Sequence, residues 1–373
     1  MRMRIGFDAK RAFNNTSGLG NYSRNTIQLL GERFPGNQYL LYTPRINGRL
    51  DFRLPEGSRI KKPESWIGKH CGPCWRTFAL SGMLVRDGVD LYHGLSHDLP
   101  IGMHSSPVKK AVTIHDMIPY RHPRLFSATN RFIYRQKIAH SCRNADVIIA
   151  ISRQTREDIL EFLDIDPSGV KVVYQTCDRL FYRTADEHFR ARVRNKYGLP
   201  GNFILSVGTI EPRKNLPSVI RAMHLGKIDT MLVVVGKKTG YIKTVSDTIH
   251  SSGMGNVLFL ENVPTEELAA IYQMAALFVY PSLYEGFGIP ILEALSSGTP
   301  VITSRGSCFG ETGGPDSLYV DPHNNEELAV SISNVLSGTE LRKKMIDGGL
   351  RHAANFRHDL IADQLMDVYR SIM

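Results

Sequence analysis

Cysteine is scarce in this chain of 373 residues: five are present, an odd number at irregular spacing, and they do not describe a disulfide framework. Long hydrophobic runs are missing too. No window approaches the roughly 18 uninterrupted apolar residues of a membrane-spanning helix, and the start, Met1-Arg2-Met3-Arg4-Ile5-Gly6-Phe7-Asp8, lacks the apolar stretch of a secretory signal. These absences point to a cytosolic protein in a reducing compartment. No recognised nucleic-acid-binding motif accompanies the net charge of +10, which argues against nucleic acid as a partner. The glycine-rich turn Thr16-Ser17-Gly18-Leu19-Gly20-Asn21-Tyr22 lacks the third glycine of the dinucleotide fingerprint, which disfavours a dehydrogenase.

What is present is enough for two cores. The length exceeds the size at which one hydrophobic core stops growing, and hydrophobic content is 42%. Charge is uneven: residues 1–195 carry 31 Lys and Arg against 18 Asp and Glu, a balance of +13, whereas residues 196–373 carry 15 against 18, a balance of −3. In the basic half, cations interleave with aromatics at Asn130-Arg131-Phe132-Ile133-Tyr134-Arg135-Gln136-Lys137, a pattern suited to anionic lipid headgroups, to an anionic acceptor, or to a solvated helix face.

Apolar runs alternate with helical stretches throughout, as in parallel α/β domains. Strands are predicted at 4–8, 39–43, 90–93, 111–115, 147–151 and 170–174, then at 203–207, 231–235, 257–260, 277–280, 300–303 and 318–320. The expected domains are 1–180 and 201–356, joined by a polar, basic linker at 181–200 that ends in Pro200-Gly201. Apolar residues at helical spacing over 360–372 predict a terminal helix.

The most informative stretch is Glu285-Gly286-Phe287-Gly288-Ile289-Pro290-Ile291-Leu292-Glu293. Proline suits a first helical turn, so a helix is expected from about Pro290 to Gly298, with Glu285 in the preceding loop and Glu293 inside the helix. Backbone N–H groups of Phe287, Gly288 and the first turn, backed by the helix dipole, then offer a seat for phosphate. The two acids can accept hydrogen bonds from sugar hydroxyls. A second constellation, Phe203-Ile204-Leu205-Ser206-Val207-Gly208-Thr209-Ile210-Glu211-Pro212-Arg213-Lys214-Asn215, puts two cations between a strand and a helix, where they could neutralise a diphosphate without a metal. Three other motifs carry less. Asp164-Ile165-Asp166 leads into Pro167-Ser168-Gly169 and reads as a turn rather than a metal site. Cys71-Gly72-Pro73-Cys74 has the spacing of a thiol–disulfide motif, but residues 66–70 before it do not read as a strand. Asn14-Asn15-Thr16 matches a glycosylation acceptor, which has no meaning without secretion.

Taken together, Gly18-Leu19-Gly20, His115-Asp116, Glu211-Pro212-Arg213-Lys214-Asn215, and Glu285 and Glu293 with seven residues between them resemble glycosyltransferase family four, retaining transferases of the GT-B fold. Within that family the sequence is similar to bacterial mannosyltransferases of O-antigen (lipopolysaccharide), capsule or exopolysaccharide synthesis. The resemblance implies an α/β architecture of two Rossmann-like parallel-sheet domains facing a central cleft, with a C-terminal helix, 357–373, crossing back to the N-terminal, acceptor-binding domain. It gives Arg213 and Lys214 the donor diphosphate, Glu285 the hydroxyls of the transferred sugar and Glu293 those of the ribose. The N–H groups of Phe287 and Gly288 would lie against sugar and phosphate, Gly18 and Gly20 near the leaving phosphate, and His115 against the sugar. Gly208 and Leu292 complete the donor set, and backbone groups near Asn262 and Val263 would grip the base. Asp116 would either contact the acceptor or act as a turn aspartate. No metal and no cofactor is implied. The resemblance further implies that the acceptor would attack from the face the leaving group departs, with the departing phosphate oxygen taking its proton. The implied donor is a nucleotide-diphosphate sugar, foremost GDP-mannose, and the implied acceptor a glycan or a lipid-diphosphate-linked glycan met at the inner face of the cytoplasmic membrane. A UDP-sugar-dependent transferase of the same family, or a non-catalytic nucleotide-binding scaffold, would share these residues.

Overall fold

The apolar runs become parallel strands, as expected of Val-, Ile- and Leu-rich segments covered on both faces. The structure, a computed structural model, describes residues 2–47, 52–64, 70–103 and 106–373. The chain divides into two units, Met1–Thr176 with Arg357–Met373, and Cys177–Phe356. Among the described residues the first unit holds seven strands: β1 (Arg4–Asp8), β2 (Gln38–Tyr42), β3 (Arg59–Lys61), β4 (Leu91–Gly94), β5 (Lys109–Ile114), β6 (Val147–Ala150) and β7 (Val170–Val172). The second holds six: β8 (Phe203–Val207), β9 (Met231–Val235), β10 (Val257–Leu260), β11 (Leu277–Tyr280), β12 (Val301–Ser304) and β13 (Leu318–Val320).

Every pairing is parallel. The orders are β3-β2-β1-β4-β5-β6-β7 and β10-β9-β8-β11-β12-β13. Counted from each unit's own first strand, both begin 3-2-1-4-5-6, the doubly wound Rossmann order. The winding reverses between β1 and β4, registered as Ile5↔Leu91, and between β8 and β11, registered as Leu277↔Ile204. Loops leaving those neighbouring strands diverge and open a crevice at their carboxyl ends. The sequence pattern missed β3, a three-residue edge strand with the polar-apolar-polar pattern Arg-Ile-Lys.

Residues 181–200 are not an open linker. Asp186 caps the helix Glu187–Tyr197 by accepting the Phe189 N–H at 2.8 Å, and Gly198 ends it in the left-handed conformation. Lys196 holds Glu267 of the helix Thr265–Met274 at 2.7 Å, so the segment is part of the second unit. No helix among the described residues is long and apolar enough to cross a membrane.

The terminal helix His358–Arg370 belongs to the first unit. Its Ile361, Ala362, Leu365, Met366 and Tyr369 enter the core that contains Phe7, Ile27, Leu30 and Tyr39. Each large side chain of that kind contributes about 1.5–3 kcal/mol on burial. The Tyr369 hydroxyl lies 2.6 Å from His93 Nδ1, and His93 Nε2 lies 2.7 Å from Thr113 Oγ1, which the Tyr22 hydroxyl also meets at 2.9 Å. Burial lowers the His93 imidazole to about 3, so it is neutral and ties the helix to β4 and β5 by hydrogen bonding alone.

Replacing Tyr369 by Phe leaves a buried ring nitrogen unpaired and is expected to destabilise the first unit by about 1–3 kcal/mol, read from its urea midpoint. Because His93 resists protonation when folded and an unfolded imidazole does not, stability falls as the pH drops below about 6.5. A midpoint unmoved by the substitution would show that the bond contributes nothing.

Candidate functional site

The carboxyl ends of β8 and β11 carry the second unit's charged cluster. Gly208 follows β8 at φ +143°, and a Cβ on Gly236, just past β9, would stand 1.9 Å from the Gly208 carbonyl oxygen, so this close turn needs glycine at both positions. The turn Pro212–Lys214 then presents two cations, and the left-handed Asn215, whose amide donates to the Pro322 carbonyl at 2.7 Å, starts the helix Leu216–Leu225. From the β11 side, the Leu283 N–H donates to the Arg213 carbonyl at 2.8 Å, and Arg213 Nη1 donates to the Tyr284 carbonyl at 2.7 Å. The two strand-end loops are thereby clamped together.

Glu285 sits at the centre, 9% exposed. Arg213 Nη1 lies 2.6 Å from its Oε2 and Lys214 Nζ 2.6 Å from its Oε1. The Tyr280 hydroxyl accepts from Lys214 and donates to Oε1 at 2.8 Å, and Ser282 Oγ stands 2.7 Å from the same oxygen. Glu211 holds the other face of the Arg213 guanidinium at 2.7 Å. Burial pushes the Glu285 carboxyl up, but Lys214 and Arg213 outweigh it and hold it down at about 2. Burial lowers the Lys214 ammonium, and Glu285 only partly restores it. The two cations expected to meet a diphosphate are thus held here by acids of the same unit. Buried charge must be paired, and Glu285 supplies the pair when no other anion does.

A helix, Ile289–Ser296, begins directly beyond this cluster, with Pro290 in its first turn. Gly288, at φ +91°, caps it, and its own N–H and that of Ile289 have no acceptor among the described residues. Glu293 lies in the second turn and accepts the Tyr272 hydroxyl at 3.0 Å. Burial, partly offset by that bond and reinforced by Asp178, pushes its carboxyl up to about 7. Phe287 packs edge-on against Phe356, and Leu292 is wholly buried, so its side chain belongs to the core. Val263 is half-buried and follows Asn262, which is left-handed at φ +55°.

Other residues singled out from sequence lie in the first unit. Gly18 and Gly20 do not form a loop: they open the helix Gly18–Arg33, and a Cβ on Gly20 would stand 1.9 Å from the Asn15 carbonyl oxygen, whereas Gly18 faces open space. His115 is 6% exposed, with Nε2 2.8 Å from the Leu95 carbonyl and its ring edge-on to Tyr22 and His97. Burial and the nearby His97 lower it to about 3, so it is a neutral donor. Asp116 accepts the Ile118 N–H at 3.1 Å and also lines a cavity. Asp166 accepts the Ser168 N–H at 2.8 Å as a turn aspartate. Cys71 and Cys74 are joined as a disulfide, a local link three residues apart rather than a framework. Residues 66–69 before it lie outside the described residues.

The chain matches two family profiles, "Glycosyltransferase Family 4" over residues 16–179 and "Glycosyl transferases group 1" over residues 186–352. The chain belongs to the family four glycosyltransferases. The transferase is 26% identical to O-antigen chain mannosyltransferase B of Escherichia coli over 95% of this chain and 96% of that protein. It is 27% identical to the O-antigen chain mannosyltransferase RfbU of Salmonella typhimurium over 62% of this chain and 63% of the relative. Among solved structures, sucrose-phosphate synthase of Thermosynechococcus elongatus superposes with a TM-score of 0.79 at 20% identity, covering 100% of this chain and 99% of that one. HepE of Anabaena, solved in complex with UDP and glucose, superposes with a TM-score of 0.76 at 18% identity, covering 99% and 100%. These likenesses establish the GT-B fold.

Sequence reasoning missed the neutral members of the transferase's cluster, Tyr280 and Ser282, because a tyrosine ending an apolar strand is indistinguishable from core until its hydroxyl is seen to reach a charge. Their position at the carboxyl end of a predicted strand was the available signal.

Removing the shared carboxylate leaves Lys214 without an acidic partner and Arg213 with Glu211 alone. Glu285→Ala is therefore expected to cost roughly 3–5 kcal/mol of second-unit stability, and inorganic pyrophosphate should raise the melting temperature of the variant more than that of the wild type. Equal melting temperatures without added anion would show that the carboxylate does not hold the cations.

Proposed function

We propose that the transferase moves mannose from GDP-mannose to a glycan acceptor in bacterial surface-polysaccharide synthesis, with retention of anomeric configuration and without a metal. The observation that carries this is the cluster of Arg213, Lys214 and Glu285 at the β8/β11 switch point, next to a helix amino end that holds Glu293 one turn further on. An entering donor diphosphate would exchange with Glu285 for the two cations and take the Gly288 and Ile289 N–H groups. Charge grows on that diphosphate as the bond from the anomeric carbon to oxygen breaks, so fixed donors favour the transition state over the ground state. Glu285, released from its cations, is then placed to accept hydroxyls of the sugar, and Glu293 those of the ribose. The two O-antigen mannosyltransferases among the relatives support mannose and a polysaccharide product.

A calorimetric panel of guanosine, uridine and adenosine diphosphates should rank guanosine first, and transfer from GDP-mannose should survive excess chelator. Tighter uridine diphosphate binding would sink the donor assignment. Lys214→Ala should lower turnover by about 10² to 10³. Near-normal turnover at saturating donor would refute the diphosphate role. Ribose hydroxyls favour the ionised form of Glu293, so nucleotide affinity should rise as the pH climbs through about 7. The nucleotide phosphate contributes a trend of the same sign, so the test is the difference from Glu293→Gln. Identical pH profiles would remove Glu293 from the ribose.

We propose further that the acceptor is met at the inner face of the cytoplasmic membrane, where the helix Ala128–Asn144 exposes Phe132, Ile133 and Tyr134 among Arg131, Arg135 and Lys137. Cations of this kind contribute about 1 kcal/mol each at an anionic surface. Vesicle binding that ignored the content of anionic lipid would count against this contact.

A further inference from the structure

Burial sorts the five cysteines of the chain into two kinds. Cys142, Cys177 and Cys308 are free thiols, 3%, 1% and 0% exposed. Burial pushes the first two up to about 12 and the third well above the ordinary thiol value. Thiols kept protonated and out of water are inert toward exchange. Cys71 and Cys74 are the opposite case: Cys74 is exposed, Cys71 is half-buried, and the two are joined. Exchange between cysteine and solution thiols therefore falls on this pair.

The spacing decides how firmly the link holds. A bridge across a long loop removes much freedom from the unfolded chain, whereas one between residues three apart removes little. Exposed bridges of that kind are the ones that thiols open. The local chain forms a first helical turn around it. The Cys71 carbonyl accepts the Trp75 N–H at 3.0 Å, and Gly72 lies so close to Pro44 that a Cβ would stand 2.9 Å from the proline Cβ. Directly after Cys74, Trp75–Ala79 forms a π-helical turn, in which the Leu80 N–H donates to the Trp75 carbonyl, and the α-helix Leu80–Arg86 follows. Such turns are rare and tend to mark functional segments. Trp75, 3% exposed, enters the core with Leu40, Tyr42 and Tyr92, and Arg76 pairs with the buried Asp8 and stands 3.3 Å from Asp98. The bridge thus closes the turn from which both side chains are aimed.

We propose that Cys71 and Cys74 form a reversible thiol–disulfide site open to low-molecular-weight thiols, and that the bridge sets the order of the turn carrying Trp75 and Arg76. One thiolate attacks Cys74 Sγ, the more exposed sulfur, forming a mixed disulfide and releasing the Cys71 thiolate. A second thiolate attacks the outer sulfur of that mixed disulfide and releases Cys74. Two thiols become one disulfide, their two electrons reduce the bridge, and their two protons end on Cys71 and Cys74. A low-molecular-weight disulfide drives the same steps in reverse. The site stands apart from the glycosyl-transfer reading, and neither depends on the other.

The test equilibrates the full chain in glutathione buffers of graded thiol-to-disulfide ratio, counts free thiols by alkylation and mass, and follows amide hydrogen exchange over the fragment that contains Trp75 and Arg76. Wild type should pass from no alkylated cysteine to two, Cys71 and Cys74, in one step with the steepness of a two-electron exchange. The fragment should exchange about tenfold faster in the dithiol form, because local opening is no longer limited by the covalent link. Cys71→Ser/Cys74→Ser should show the faster rate at every ratio. A pair that stays bridged at all ratios until the chain is unfolded, or that stays reduced at all of them, would overturn the site. Alkylation of Cys142, Cys177 or Cys308 in the folded chain would overturn its selectivity. Titration of the pair with no change in exchange would overturn the coupling to the turn, as would a double variant whose exchange still followed the buffer.

Discussion

Two half-buried cations converge on one buried carboxylate, and the second unit is arranged around that constraint. Arg213 and Lys214 come from the loop after β8 and Glu285 from the loop after β11, so the ion pairs exist only because the switch point puts those strands side by side. Tyr280 and Ser282 place two hydroxyls on Glu285 Oε1, and the backbone bond from Leu283 to Arg213 holds the loops in register. A buried pair contributes little net stability, because desolvation consumes most of the Coulomb gain. What it gives is preorganisation: the cations are fixed where an anion must land, and their orientation is set before any ligand arrives.

The same architectural rule operates twice in the chain with different side chains. At β8/β11 the loops supply a dense, nearly neutral cluster next to a helix start, suited to phosphate and hydroxyls. At β1/β4 they supply a wider recess of about 410 Å³ in which Lys10 and Arg11 stand with Asp98 and Asp116 beside Phe126, Ile133 and Tyr134. One backbone plan therefore yields two chemically distinct seats, and the residues just past each strand decide which chemistry each seat accepts.

Much of this was legible in the amino-acid order, and for identifiable reasons. Strands covered on both faces read as continuous apolar runs, so all but the short polar edge strand β3 were placed within a residue or two. Pro290 marked the helix start because its missing N–H is no loss in a first turn, whereas the positive φ of Gly288 was not read from the residue order. Side-chain partnerships were not legible. Nothing in the order of residues says that Glu285 neutralises the cations expected for phosphate, or that the His115 ring nitrogen is spent on the Leu95 carbonyl. His97 gave no signal either, since neither its left-handed backbone nor its unpartnered ring nitrogen is written in the residue order. The stretch 181–200 looked like a tether because a highly charged helix that buries little beyond Val193 has the composition of one.

The terminal helix bears on how the molecule is made. Residues 357–373 complete the core of the first unit, yet they leave the ribosome only after the whole of the second unit has emerged. Until then the surface around Phe7, Ile27 and Leu30 that receives Ile361, Leu365 and Tyr369 stays uncovered, while Cys177–Phe356 has all its own strands in hand. Domains usually mature in the order of their synthesis. Here the half begun first is the half finished last, with an apolar face that only the final residues can close.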